Sequence, residues 1–245
     1  MESSSQTVKS EQETNLQLNE ANATQLKQST EAFTSICSEF TTEAAQEMAN
    51  DERLLRFGEV EFAFTPFVYG EIRHESISEF LLWLKQEHGL FAGEEQDKVF
   101  YDLGAGIGKP SVTAAVTLNK YFKKCVGIEL LDSLHDKSQE LKKKYDETVG
   151  DSATELTFEK FDFLEESDRW VQDADLVFVN ATCFDQEMVD KISAIVEEKL
   201  KVGGVFILTT KELKLSKTES FKLIGPVMKE MSWGHPTPLR AYVKL

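Results

Sequence analysis

The stretch YDLGAGIGKP at 101–110 brings together residue types that can cradle a ligand. An apolar run ends at Asp102 and three glycines follow at alternate positions, Gly104, Gly106 and Gly108. Glycine lets the backbone approach a ligand closely and adopt conformations barred to residues with a Cβ. Pro110 stands where a helix begins, a position that needs no backbone N–H. Glu129 closes the next apolar run, 21 positions after Gly108. A carboxylate there can accept hydrogen bonds from both hydroxyls of a ribose. A structural turn is the alternative reading of the glycines alone.

Two nucleotide loops are excluded. A dinucleotide turn reads GxGxxG, whereas here Lys109 follows Gly108 and the pattern is GxGxG. A Walker loop needs GxxxxGK followed by Ser or Thr, but position 103 is Leu and Pro110 follows Lys109. The expected cofactor is S-adenosylmethionine, whose sulfonium and ammonium favour nearby carboxylates. Asp102 is expected to order the glycine loop or the methionine amino group. FDFLEE at 161–166 adds Asp162, an acceptor for an adenine amine, and Phe163, a cover for its ring. A helix cap and a core phenylalanine are the plainer readings of that pair.

The elements that must position these groups alternate. Strand-like runs occur at 99–103, 125–130, 156–161, 175–180 and 204–210. Helix-like stretches lie at 75–88, 110–121, 132–148 and 185–200. Such alternation with apolar strands implies a parallel sheet with helices on both faces. Two last strands, 221–231 and 239–245, have no helix between them and read as an antiparallel edge hairpin. The fold class is therefore α/β, a Rossmann-like, mostly parallel sheet on the plan of class I methyltransferases. Residues 1–24 are polar, lack apolar periodicity and are expected to be mobile. Residues 25–61 form a helical extension, with Phe33, Ile36, Phe40, Ala44 and Met48 on one face. The catalytic domain spans 62–245.

Composition narrows the partners. Of 245 residues 41% are hydrophobic, enough for one core, and the net charge is −16. That balance repels phosphate, so strong direct nucleic-acid binding is not expected. Three cysteines and four histidines show no ligand spacing, so neither metal nor disulfide is expected. No apolar run approaches the ~18 residues of a membrane helix, and the polar N-terminus does not read as a signal peptide. An intracellular protein, nuclear or cytoplasmic, is the expectation.

Ordered signatures across 62–245 resemble one family, the disruptor-of-telomeric-silencing histone H3 lysine methyltransferases. They are PFVYGE at 66–71, DLGAGIG at 102–108, GIE at 127–129, DFL at 162–164 followed by Trp170, LVFVNATCF at 176–184 and MSWGHPTPLRAYVKL at 231–245. The resemblance implies a protein-lysine N-methyltransferase acting on a histone, with histone H3 a candidate. Another protein or a small molecule is the alternative substrate. It also implies that Tyr69, Gly70 and Glu71 close over the methionine part of the cofactor, with Glu71 holding its ammonium. Asn180 faces the transferring methyl, and Phe184, Trp233 and Tyr242 form an aromatic channel, with Asn180 and Tyr242 as the catalytic residues. Core packing is the competing role for the three aromatics. The chain departs from the family at Lys109, where glutamine is usual, and at Ala181-Thr182, where asparagine and phenylalanine are typical. Its terminal tyrosine aligns after a one-residue shift.

Overall fold

The computed structural model describes residues 13–57, 69–93, 96–150, 154–232 and 234–245. Three helices come first: α1 (Glu20–Cys37), α2 (Thr42–Phe57) and α3 (His74–His88). Strands and helices then alternate as β1 (Lys98–Leu103), α4 (Lys109–Thr117), β2 (Phe122–Glu129), α5 (Asp132–Val149), β3 (Glu155–Lys160), β4 (Leu176–Val179), α6 (Gln186–Lys199) and β5 (Val205–Thr209). The chain closes with β6 (Phe221–Glu230) and β7 (Pro236–Lys244).

One seven-stranded sheet has the order β3-β2-β1-β4-β5-β7-β6. The pairs β1–β2, β1–β4, β2–β3 and β4–β5 are parallel, while β7 runs antiparallel between β5 and β6. The chain winds outward from β1 to β3, then returns to β4 on the other side of β1. That reversal opens a crevice at the carboxyl ends of β1 and β4, where open α/β sheets bind ligands. The expected class I plan is thus present, with β6 as the outer strand of the hairpin.

Side chains alternate across each strand, as a period of two demands. Phe100, Cys125, Phe178 and Ile207 enter the core shared with α1, α3, α4 and α5. Tyr101, Val126, Val179 and Phe206 enter the opposite core with α6, Trp170 and Val171. Both faces are therefore buried, which explains why the strands read as continuous apolar runs.

The N-terminal part corrects two expectations. Order begins before residue 25: α1 starts at Glu20, capped by the Asn19 side chain, and Leu16 and Asn22 are buried. Thr14 pairs with Met228 on β6 through its backbone N–H at 2.9 Å and its hydroxyl at 3.0 Å. Local polarity hid this because the partners are more than 200 residues away. Residues 1–12 lie outside the described residues.

The single helical face expected over 33–48 is broken. Residues 38–41 turn the chain, and the Thr41 hydroxyl accepts the Ala44 N–H at 3.2 Å to restart a helix. The break rephases the buried stripe: Ala45 and Ala49 are buried after Ile36 and Phe40, while Ala44 is exposed. The extension also shares its core with the sheet, so it is part of the same packed body. Helix α2 reaches α5, whose N-cap position is Leu131 and offers no side-chain cap. Glu52 supplies it from α2, accepting the Asp132 and Ser133 N–H groups at 2.8 and 2.7 Å.

Trp170 is fully buried between β3 and β4, and its indole N–H donates to the Phe163 carbonyl at 2.8 Å. It thereby holds the turn that carries Asp162 and Phe163. Trp170→Ala is expected to lower stability by about 3–5 kcal/mol, the usual cost of emptying a large core site. Equilibrium urea unfolding measures this.

Candidate active site

The cleft lies at the carboxyl ends of β1, β2 and β4, below the segment from Tyr69 to Ile72. Each wall is set by a local rule of the chain. At the end of β1, Gly104 and Gly106 take positive φ values of 74° and 58°. The Gly104 and Ala105 N–H groups donate to the Ile128 carbonyl, both at 2.9 Å. These bonds fold the glycine turn against the end of β2. The Tyr69 ring lies over Gly106, so that a Cβ there would come within 2.3 Å of it.

Glu129 ends β2 inside this turn. One carboxylate oxygen accepts the Gly106 N–H at 2.8 Å, and the other accepts the Leu130 and Leu131 N–H groups, both at 2.8 Å. Burial raises its pKa, against the lowering effect of these three bonds. Asp102 is buried beneath the turn, accepting from the Ser111 hydroxyl at 3.0 Å. Burial pushes its pKa up to about 7, with the nearby Glu129 charge acting in the same direction.

Beyond β3, Asp162 and Phe163 line the cleft together. Asp162 Oδ1 accepts the Leu164 N–H at 2.8 Å, so the residue caps its own turn while bordering the cavity. Phe163 stacks on Phe184 with ring centroids 6.1 Å apart. Asn180 leaves β4 at the same level. Its amide Nδ2 donates to the Gly70 carbonyl at 2.9 Å, which ties the sheet to the covering segment.

The structure brings together Tyr69, Gly70, Glu71, Asp102, Gly104, Gly106, Glu129, Asp162, Phe163, Asn180 and Phe184. Two expectations fall elsewhere, and a third concerns a residue outside those described. Gly108 does not line the cleft; it begins α4 with φ 96°, and the Phe158 ring occupies the place of a Cβ. Tyr242 is a core residue, 4% exposed, and its hydroxyl accepts the Leu213 N–H at 3.1 Å. It pairs with Phe206, three residues before the end of β5. At about 3.4 Å per residue that is roughly 10 Å below the sheet edge where the cleft opens. Tyr242 thus does not line the cleft, and core packing is the role its surroundings give it. Trp233 lies outside the described residues.

Glu71 is already engaged. Lys109 forms an ion pair with its Oε2 at 2.7 Å, Thr42 donates to the same oxygen and Tyr69 donates to Oε1. Both charged side chains are nearly buried, at 12% and 9% exposure. The lysine that departs from the family pattern therefore neutralises the carboxylate expected to hold an ammonium.

Sequence reasoning missed the hydroxyls behind Asn180. Thr182 and Thr209 both donate to Asn180 Oδ1 at 2.8 Å, and Thr210 contacts Thr182 at 2.9 Å. The available signal was position: Thr209 and Thr210 end a strand at the carboxyl edge of a parallel sheet.

Four carboxylates, those of Glu71, Asp102, Glu129 and Asp162, border the cleft, and its described lining contains no Lys, Arg or His. Such a surface rejects a phosphate-rich ligand and suits a cationic one carrying hydroxyl and amine donors. No cluster of His, Cys, Asp or Glu suited to a metal occurs among the described residues. The sheet order and this acid-lined cleft define a class I S-adenosylmethionine-dependent methyltransferase.

Comparison with protein families matches residues 46–235 to the histone methylation protein DOT1. The chain belongs to that family, and it is a methyltransferase whose cofactor is S-adenosylmethionine. No curated protein sequence matches the chain. Among solved structures, a putative RNA methyltransferase from Pyrococcus horikoshii is 16% identical with a TM-score of 0.47, covering 82% of this chain and 96% of that one. A precorrin-6y C5,15-methyltransferase from Geobacter metallireducens is 16% identical with a TM-score of 0.41, covering 65% and 88%. Fibrillarin from Aeropyrum pernix, natively bound to S-adenosylmethionine, is 12% identical with a TM-score of 0.44, covering 60% and 66%.

Asp102 is expected to make cofactor binding depend on pH. Its raised pKa means that the free protein holds a proton there below about pH 7. A cation bound beside it favours the ionised form, so binding is expected to release a proton as pH falls through 7. Affinity should then weaken below pH 7 and level off above it. Titration calorimetry of S-adenosylmethionine in buffers of different ionisation enthalpy measures both effects, and Asp102→Asn should abolish the proton release.

Proposed function

We propose that this protein methylates the ε-amine of a lysine on a histone, with histone H3 the candidate, and that it works in the nucleus where that substrate resides. One observation carries the reading. The cleft is acidic at its β1 and β2 walls, yet the β4 end is lined by Asn180, Thr182, Cys183, Phe184 and Met188, all uncharged. Burial pushes the Cys183 thiol up, so it stays protonated near neutrality and is a poor base.

S-adenosylmethionine, when bound, supplies an electrophilic methyl group on a sulfonium. Glu129 would accept the ribose hydroxyls, Asp162 would accept the adenine amine and Phe163 would cover the ring. Asp102 and the backbone of Gly104 and Gly106 would hold the methionine part, under the segment from Tyr69 to Glu71. A lysine has an unperturbed pKa of about 10.4 and must lose its proton to react. The stacked Phe163 and Phe184 offer an apolar wall that disfavours the ammonium. Water can then carry the proton away without a dedicated base. Asn180 fixes the covering segment through Gly70, and positioning is the main contribution of the chain.

The charge of −16 supports a basic protein partner, because long-range attraction speeds encounter with a histone surface. The same charge opposes a lasting grip on DNA phosphates. No helix among the described residues is long and apolar enough to cross a membrane.

The test is labelled S-adenosylmethionine supplied with nucleosomes, free histones and cell extract, followed by mass spectrometry of the product. Label on a histone lysine is expected; label confined to small molecules or RNA contradicts the reading. Asn180→Ala should lower kcat about 10- to 100-fold, the equivalent of one or two well-placed hydrogen bonds. Unchanged turnover with an intact fold would remove Asn180 from the mechanism.

A further inference from the structure

The hydroxyl network behind Asn180 can be assigned proton by proton. Asn180 Nδ2 donates to the Gly70 carbonyl at 2.9 Å, since a flipped amide would set two oxygens against each other. Oδ1 therefore faces Thr182 and Thr209, which donate to it at 2.8 Å each. Thr209 also accepts the Ala181 N–H at 3.0 Å. A hydroxyl has one proton and two lone pairs. Thr182 has used its proton on Asn180, so Thr210 must donate in the 2.9 Å contact between the two threonines. Among the described residues that leaves Thr182 Oγ1 with one free lone pair, on a residue that lines the cleft beside Asn180 and Phe184.

The backbone supports the same point. Thr210 has φ 62°, a left-handed conformation that β-branched residues rarely adopt. Such conformations persist where the surroundings hold them, and they cluster at functional sites. Here the contact with Thr182 directs the Thr210 proton onto the cleft hydroxyl.

We propose that Thr182 is a specificity-determining residue whose free lone pair accepts an N–H of the substrate amine and so limits how many methyl groups are added. This rests on the lysine reading above. Before each transfer the ammonium loses one N–H proton to water; the nitrogen lone pair so freed then forms the N–C bond while sulfur keeps the C–S pair. Unmethylated and monomethylated amines in neutral form still have an N–H to place on Thr182 while the lone pair is presented for reaction. A neutral dimethylamine has none, so the third transfer lacks this anchor. The family it belongs to typically carries phenylalanine at this position, so the hydroxyl is a feature of this chain.

The experiment compares wild type, Thr182→Val and Thr182→Ser on recombinant nucleosomes built from unmethylated histones. Intact-protein mass spectrometry gives the mono-, di- and trimethyl shares and the rate of each step. Calorimetry with S-adenosylhomocysteine gives cofactor-site affinity independently of turnover. Wild type should accumulate mono- and dimethyl lysine. Thr182→Val should slow the first transfer about tenfold, the loss of one hydrogen bond, and raise the trimethyl share. Thr182→Ser should restore the wild-type distribution, and all three proteins should bind S-adenosylhomocysteine equally. The proposal is overturned if valine leaves rates and shares unchanged, if serine behaves like valine, or if valine weakens S-adenosylhomocysteine binding. Wild-type label on lysine with an unaltered valine variant sinks this proposal alone. Wild-type label on something other than lysine sinks the lysine reading as well.

Discussion

A buried carboxylate held by backbone alone is the constraint around which this site is built. Glu129 sits at the end of β2 with no cation paired to it among the described residues, and three N–H groups fix both of its oxygens. One of those groups belongs to the glycine turn after β1 and two to the entrance of α5. A single side chain thus sets the spacing of two adjacent strand ends. Burial of an unpaired charge is costly, and that cost falls when a ligand brings hydroxyl donors to the same oxygens. The site is arranged for a partner it does not itself contain.

The opposite wall follows a different logic. The covering segment from Tyr69 to Ile72 is held by charge and amide bonds from three directions. Lys109 pairs with Glu71 from α4, Thr42 reaches it from α2, and Asn180 grips Gly70 from β4. Ser232 accepts the Glu71 N–H at 3.3 Å and donates its own to the Glu71 carbonyl at 2.8 Å. One short segment therefore senses both halves of the sheet and the N-terminal helices.

The sequence was most legible where one rule acted locally. Continuous apolar runs marked the strands because both sheet faces are covered, and glycines with a following proline marked the turn into α4. Glu129 was legible from its distance to that turn. Long-range pairings were not. The ion pair between Lys109 and Glu71 joins positions 38 residues apart, so Lys109 read as a departure and Glu71 as a free carboxylate. The cap that Glu52 gives α5 had no local signature, and neither did the docking of Thr14 on β6. Tyr242 misled because an aromatic near a terminal motif reads as functional, while the antiparallel register of β7 carries it down into the core. The threonines behind Asn180 were visible as strand-end residues, yet their meaning depends on proton bookkeeping that needs distances.

The role of Glu129 is measured most directly by calorimetric titration of S-adenosylhomocysteine into the wild-type protein and Glu129→Gln. The amide keeps the size of the side chain but loses acceptor capacity toward a ribose. The wild type should show one binding site and the variant an affinity at least about tenfold weaker, from the loss of a hydrogen bond to a charged group. Equal affinity in a variant that melts like the wild type would contradict that role.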